Sequence, residues 1–224
     1  MYVCLFDIDG TLLNTGGAGQ AAMEAAMESE FNAKFSVEGI YTVGRTDRAI
    51  LDDLFTHYGI EHNETTWRRF LDAYLEHLPQ HLERLQGQVL PGIRTLLQQL
   101  TERKDVAVGL LTGNYRQSAR IKLEHYELFD HFEFGGFGDV HRSRDDVARE
   151  ALRDVHRHLN GSVSMERVWV IGDTPADVRC GRAVGANVVA VGTGVFSRED
   201  LEPTQPDYYF DDFSNPQSLL SLLK

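Results

Sequence analysis

Short apolar runs alternate along the chain with longer stretches in which apolar residues recur every three or four positions, and this alternation predicts most of the elements. Residues 2–6, Tyr-Val-Cys-Leu-Phe, are β-prone, too short for a helix and lack polar alternation. That is the pattern of a strand buried on both faces of a parallel sheet. Residues 105–111, 167–171 and 187–191 repeat it, and shorter runs at 132–134 and 208–210 predict two more strands. Helical spacing predicts helices over 92–103, 115–125, 144–159, 176–184 and 216–223. Apolar strands alternating with helices specify an α/β fold, a doubly wound parallel sheet. There is no internal repeat and no low-complexity tract.

One block departs from the alternation. Residues 16–86 carry helical periodicity only, over 19–31, 46–58 and 64–85, with Pro79 predicting a kink or a break in the last of these. A helical insertion directly after the first strand reads as a small all-helical cap domain, residues 16–86, on an α/β core made of residues 1–15 and 87–224. The alternative is that these helices simply pack on the sheet. Asn14, Thr15 and the Gly16-Gly17 pair mark the expected hinge, and Pro91 is placed to open the first helix after the return to the core.

Composition narrows the function. At 224 residues the chain is long enough for one full core and a small accessory domain. Its formal charge of -12 argues against a nucleic-acid partner, which would need clustered Lys and Arg. Any substrate phosphate must therefore be met by a few local cations and a metal. No apolar run is long enough to span a bilayer, and the sequence opens into a strand without a basic segment or cleavage site, so no membrane partner and a cytoplasmic location are expected. Two cysteines, Cys4 and Cys180, make no disulfide framework and fit a reducing compartment. Neither has a nearby His to activate it. The nine His show no ligand spacing; His156 and His158, two apart on a helix, face different ways.

The candidate chemistry lies where the strands end. The first runs into Asp7-Ile-Asp-Gly10, two carboxylates one residue apart. In an open α/β sheet ligands bind beyond the carboxyl ends of the strands. Such a pair repels itself unless a proton or cation intervenes, and a hard, oxygen-seeking ion such as Mg²⁺ resolves the repulsion most simply. A plain turn is the alternative for these residue types. A calcium loop of the EF-hand kind is not supported, because residues 11–18 supply no further ligands. The strand over 105–111 ends in Thr112-Gly113-Asn114 at a helix start, which is either an anion site built on backbone amides or an ordinary loop and cap. The strand over 167–171 ends in Gly172-Asp173-Thr-Pro-Ala-Asp177. In a parallel sheet these three ends share one edge, so the acids can converge.

The order and spacing of these motifs resemble the haloacid-dehalogenase-like (HAD) superfamily, whose members are mostly magnesium-dependent phosphohydrolases. The match comprises Asp-x-Asp-Gly-Thr at residues 7–11, the strand ending in Thr112, and Gly-Asp-x-x-x-Asp at 172–177, with the helical block where the family places a cap. The resemblance implies that Asp7 is a nucleophile forming an aspartyl-phosphate and that Asp9 is the general acid and base. It implies Mg²⁺ ligated by Asp7, the Asp9 backbone carbonyl and Asp173, with Asp177 as ligand or support. Thr112, Gly113 and Asn114 would bind the phosphoryl group.

One feature departs from the family, which places a Lys shortly before its last motif. Here the stretch is His141-Arg-Ser-Arg144. Arg144 is the expected substitute, able to grip phosphate in bidentate fashion. Lys122 is the competitor, although two turns into its helix it is expected roughly 10 Å from the strand edge by helical rise. Arg142 and Arg144 as solvated surface charges are the alternative. In the cap, Arg45 is a candidate for an anionic substrate group, or a surface charge, and Thr46 or Asp47 a candidate helix cap.

The expected activity is hydrolysis of a small phosphorylated metabolite, similar to phosphoglycolate phosphatases, by a monomer or homodimer. A phosphomutase of the β-phosphoglucomutase type shares the motifs, and a non-catalytic binding module would show a broken one. A dehalogenase would lack the second acid that Asp9 provides, and a phosphonatase would need a Schiff-base Lys in a cap whose one lysine is Lys34.

Overall fold

The computed structural model describes residues 1–34 and 42–224; the part of the helical block at 35–41 lies outside the described residues. The run of apolar residues at the start becomes strand β1 (Tyr2–Phe6), and Val3, Cys4, Leu5 and Phe6 are fully buried, as an unalternating run requires. A two-residue strand β2 (Leu13–Asn14) follows, then helices α1 (Ala18–Phe31), α2 (Asp47–Tyr58) and α3 (Glu64–Arg84). The chain returns through β3 (Gln88–Val89), α4 (Ile93–Thr101), β4 (Val106–Leu111), α5 (Arg116–His125) and β5 (Gly135–Gly136). It continues with α6 (Arg144–His158), β6 (Val168–Gly172), α7 (Pro175–Ala183), β7 (Asn187–Val191), α8 (Arg198–Leu201), β8 (Tyr208–Phe210) and α9 (Gln217–Leu220).

Six strands form one sheet in the order β5-β4-β1-β6-β7-β8, every pair parallel, which is the expected α/β sheet. β1 lies at its centre between β4 and β6, so the three motif-bearing strand ends are adjacent. Among the described residues no helix is long and apolar enough to cross a membrane.

Two expectations change. The third strand lies at Gly135–Gly136 and not at 132–134. Phe132 and Phe134 are buried side chains of the core, while Gly136 sits so close beneath α6 that a Cβ there would meet Val147 and Ala151. The edge strand therefore needs glycine for close approach, which an apolarity pattern does not register. Second, of the kink or break expected at Pro79, the break is absent, because α3 runs as one helix through it. A proline removes one backbone donor, and burial of Leu78 and Leu82 on either side holds the helix in place. A feature with no counterpart in the sequence reading is that β2 and β3 pair antiparallel, Leu13 with Val89 and Asn14 with Gln88, so the chain enters and leaves the helical segment side by side. Strands of two residues carry no periodicity to read.

The helical segment has an interior of aromatic rings. Phe55 packs edge-on to Phe31 and Phe70, centroids 5.4 and 6.3 Å apart, and Phe70 stacks on Tyr74 at 5.9 Å. Each such pair adds about 0.5–1.5 kcal/mol beyond the area it buries.

Candidate active site

β1 delivers Asp7 to the sheet's carboxyl edge, where it is buried. β6 delivers Asp173, and the first turn of α7 delivers Asp177. Carboxylate oxygens of Asp7, Asp173 and Asp177 all lie within 4.8 Å of one another. Burial, with Asp177 and Asp9 nearby, raises the Asp7 pKa from 3.8 to about 7, although Arg144 opposes the rise. Burial, Asp177 and Asp7 raise Asp173 likewise, against the hydrogen bond from Thr11.

The three acids are not equivalent. Asp177 is fully engaged: one oxygen takes the Arg144 guanidinium, the other accepts from the Thr174 amide at 3.0 Å and hydroxyl at 2.7 Å. Thr174 and Asp177 form a capping box on α7, so the local helix start fixes this carboxylate. Asp173 uses one oxygen on the Thr11 hydroxyl at 2.8 Å and keeps the other. Asp7 receives a long contact, 3.4 Å, from Arg144, and the Ile8 backbone favours its charged form. Among the described residues the Asp9 backbone carbonyl accepts no hydrogen bond. Three hard oxygen donors with spare capacity, from Asp7, Asp173 and the Asp9 carbonyl, fit a divalent cation such as Mg²⁺.

Arg144, expected as the motif cation, is buried at the start of α6 and faces Asp7 and Asp177. Burial works against its charge, but the two carboxylates hold its pKa above the ordinary value. Its Nε has no hydrogen-bond partner among the described residues.

The Asp9 side chain turns the other way. Its Oδ2 accepts from Lys122 Nζ at 2.6 Å and from Asn114 Nδ2 at 2.8 Å, while Lys122 also donates to Asn114 Oδ1 at 2.7 Å. The expected separation of Lys122 from the strand edge is therefore corrected. Side chains on a helix lean toward its N-terminus, and the four-carbon stem covers the remaining gap. Lys122 and Arg144 both reach the site, on different acids. Gly113 and Asn114 line the cavity, whereas the buried Thr112 hydroxyl accepts from Asn114 Nδ2 at 2.8 Å behind it.

These groups surround a cavity of about 400 Å³ whose outer wall includes Arg45, Ile50 and Tyr74 of the helical segment. Arg45 is ion-paired with Asp53 at 2.7 Å and donates to the Ala49 carbonyl at 3.2 Å. Arg142, the other arginine before α6, reaches outward to Asp52 at 3.3 Å. Two contributors escaped the sequence reading. Thr193, on the loop after β7, donates to the Gly10 carbonyl at 2.6 Å; its Gly-Thr-Gly setting at a strand end was the available signal. Asp47 reads as a helix cap, but Thr46 takes that part, accepting from the Ala49 amide at 3.2 Å. The two cysteine thiols are buried, and burial pushes both up to about 12, which leaves them unreactive.

The chain belongs to the haloacid dehalogenase-like hydrolases: residues 4–191 match that family. It is 27% identical over 219 residues to a phosphoglycolate phosphatase of Rhodospirillum rubrum, covering 94% of this chain and 87% of the relative. It is 25% identical to the pyrophosphatase PpaX of Bacillus cereus over 226 residues, covering 97% and 95%. Among solved structures, CbbY from Rhodobacter sphaeroides in complex with phosphate superposes with a TM-score of 0.75 at 18% identity over 96% of each chain.

Proposed function

We propose that the protein is a Mg²⁺-dependent phosphatase that hydrolyses a small phosphomonoester through an aspartyl-phosphate on Asp7. The observation that carries this reading is the division of labour between the two acids of one turn. Asp7 lies among the buried acids beside Arg144, while Asp9 is held apart on Lys122 and Asn114.

Asp7, Asp173 and the Asp9 carbonyl would hold Mg²⁺, which would supply Lewis-acid stabilisation of the phosphoryl oxygens. Asp177 supports from behind, keeping Arg144 in place. An Asp7 oxygen attacks phosphorus as the ester oxygen departs, taking a proton from Asp9. Asp9, now a carboxylate, removes a proton from water, which attacks the aspartyl-phosphate, releasing phosphate and restoring Asp7. Arg144 and the amides of the Thr112–Asn114 turn receive the charge that develops on the transferring group.

Residues 16–86 act as the cap on the core of residues 1–15 and 87–224, and Arg45 offers a cation at the cavity's outer wall to an anionic end of the substrate. A carboxylated phosphoester such as phosphoglycolate suits that arrangement, and the Rhodospirillum relative supports it. Pyrophosphate is the second reading, favoured by the PpaX relative and served by the same groups. A phosphomutase differs only in returning phosphate to the substrate.

The test is a panel of phosphoesters, pyrophosphate and sugar phosphates with Mg²⁺, scored for released phosphate and for isomerised sugar phosphate. Phosphate release from phosphoglycolate that stops with EDTA and in Asp7→Asn supports the reading. Sugar-phosphate isomerisation without release of phosphate would replace it with the mutase.

A further inference from the structure

The turn that follows β4 is held from outside the sheet. α5 begins at Arg116 behind Tyr115, and Tyr115 provides no side-chain cap. Helix starts leave amides unsatisfied, and one of those groups here finds its acceptor in a different element. The Asp47 carboxylate, at the start of α2, accepts from the Tyr115 amide at 2.9 Å and from the Ser118 hydroxyl at 3.4 Å. The Asp47 amide in turn donates to the Gly113 carbonyl at 2.7 Å. Asp47 thus grips residues 113 and 115, on both sides of Asn114.

The Tyr115 ring is held by the same helical segment. It is fully buried, with Trp67 and Tyr74 of α3 edge-on to it at 6.1 and 6.3 Å. Gly113 lies so close to the Arg45 carbonyl that a Cβ would collide with it, which explains a glycine in the middle of the turn. Three parts of the helical segment, residues 45–47, Trp67 and Tyr74, therefore close on the three-residue stretch Gly113–Tyr115.

We propose that Asp47 is a positioning residue: by capping α5 across the two segments it sets the Gly113–Tyr115 backbone, so the phosphoryl-binding turn is in register only while the helical segment is seated. This rests on the phosphatase reading for the part the turn plays. The recognition is that of a helix start by an acceptor of fixed geometry, and an amide oxygen can replace the carboxylate oxygen there. A group that shapes transition-state donors affects kcat, whereas one that adds uniform binding affects KM.

The experiment compares Asp47→Ala, Asp47→Glu and Asp47→Asn in the full-length protein by amide hydrogen exchange across residues 112–120 and by kinetics on p-nitrophenyl phosphate with Mg²⁺. Ala removes the acceptor, Glu keeps the charge but displaces the oxygen, and Asn keeps an acceptor in place. The expected result is faster exchange at the Tyr115 amide and a kcat lower by about tenfold in Ala and Glu, with KM moved less than about threefold, and recovery of most of both in Asn. Should Ala fail to fold, Glu carries the comparison. Exchange like wild type in Ala and Glu, an Asn variant as impaired as Ala, or faster exchange with unaltered kcat would each overturn the proposal. If wild type hydrolyses no phosphoester, the phosphatase reading fails by itself, and the exchange measurement still decides whether Asp47 holds the turn.

Discussion

Lys122 Nζ lies 2.6 Å from Asp9 Oδ2, joining a helix of the core to the acid that stands two residues beyond Asp7. Lys122 is buried, whereas the Asp9 side chain is 41% exposed toward the cavity, so the ammonium anchors the carboxylate from behind and leaves its front open. A carboxylate fixed in this way can give and take a proton without first finding its position.

The first prediction concerns that anchor. Lys122→Met should lower kcat on alkyl phosphates by at least about tenfold, because it unanchors Asp9, the proposed general acid. On p-nitrophenyl phosphate, whose leaving group needs no proton, the loss should be smaller. Steady-state rates on the two substrates give the ratio, and equal losses on both would reject the role assigned to Lys122.

Arg144 should matter to stability as well as to rate. It neutralises the buried Asp177, and removing one partner of a buried pair costs about 3–5 kcal/mol because the other charge is stranded. Arg144→Met is expected to lose that much in urea denaturation, and Arg144→Lys less, since the charge remains without the fork. A stability unchanged in Arg144→Met would show that Asp177 is not held as described.

Metal and pH should be linked through Asp7. Its pKa is about 7 in the folded chain against an ordinary 3.8, so the folded state keeps a proton that the unfolded state releases. In EDTA the stability contributed by this group is fully present below about pH 4 and is lost as pH rises toward 7. Mg²⁺ displaces the same proton, so its apparent affinity should climb through that window and level off above it. Thermal melts with and without Mg²⁺ from pH 4 to 8 check both slopes, and a Mg²⁺ effect independent of pH would contradict the linkage.

Asp7→Asn should separate activity from stability. It removes the proposed nucleophile, so turnover should fall to background, and it also removes one of three crowded carboxylates. Without metal at pH 8 the variant should melt higher than wild type, by a few degrees for each kcal/mol of relieved repulsion. Its melting temperature should respond little to Mg²⁺. A variant that melts lower in EDTA would argue against the crowding inferred here.

Much of this protein was determined by local sequence. The unalternating runs at 2–6 and 187–191, too short for helices, read as strands covered on both faces, because burial on one face alone would have left every second residue polar. Asp7, Asp173 and Asp177 were legible because a buried strand that ends in acids has few structural uses. Tertiary structure decided the rest. Reaching Asp9 depends on how α5 lies against the sheet, which no count of residues from the strand reveals, and so Lys122 and Arg144 proved to serve separate acids. Gly135–Gly136 became the edge strand because α6 presses on it, and glycine has no apolar signature. Asp47 stood beside Thr46 as a candidate cap of its own helix because the sequence lists only neighbours along the chain. Its carboxylate found the amide of Tyr115, 68 residues away, because folding satisfies a helix start with whichever acceptor packing brings near.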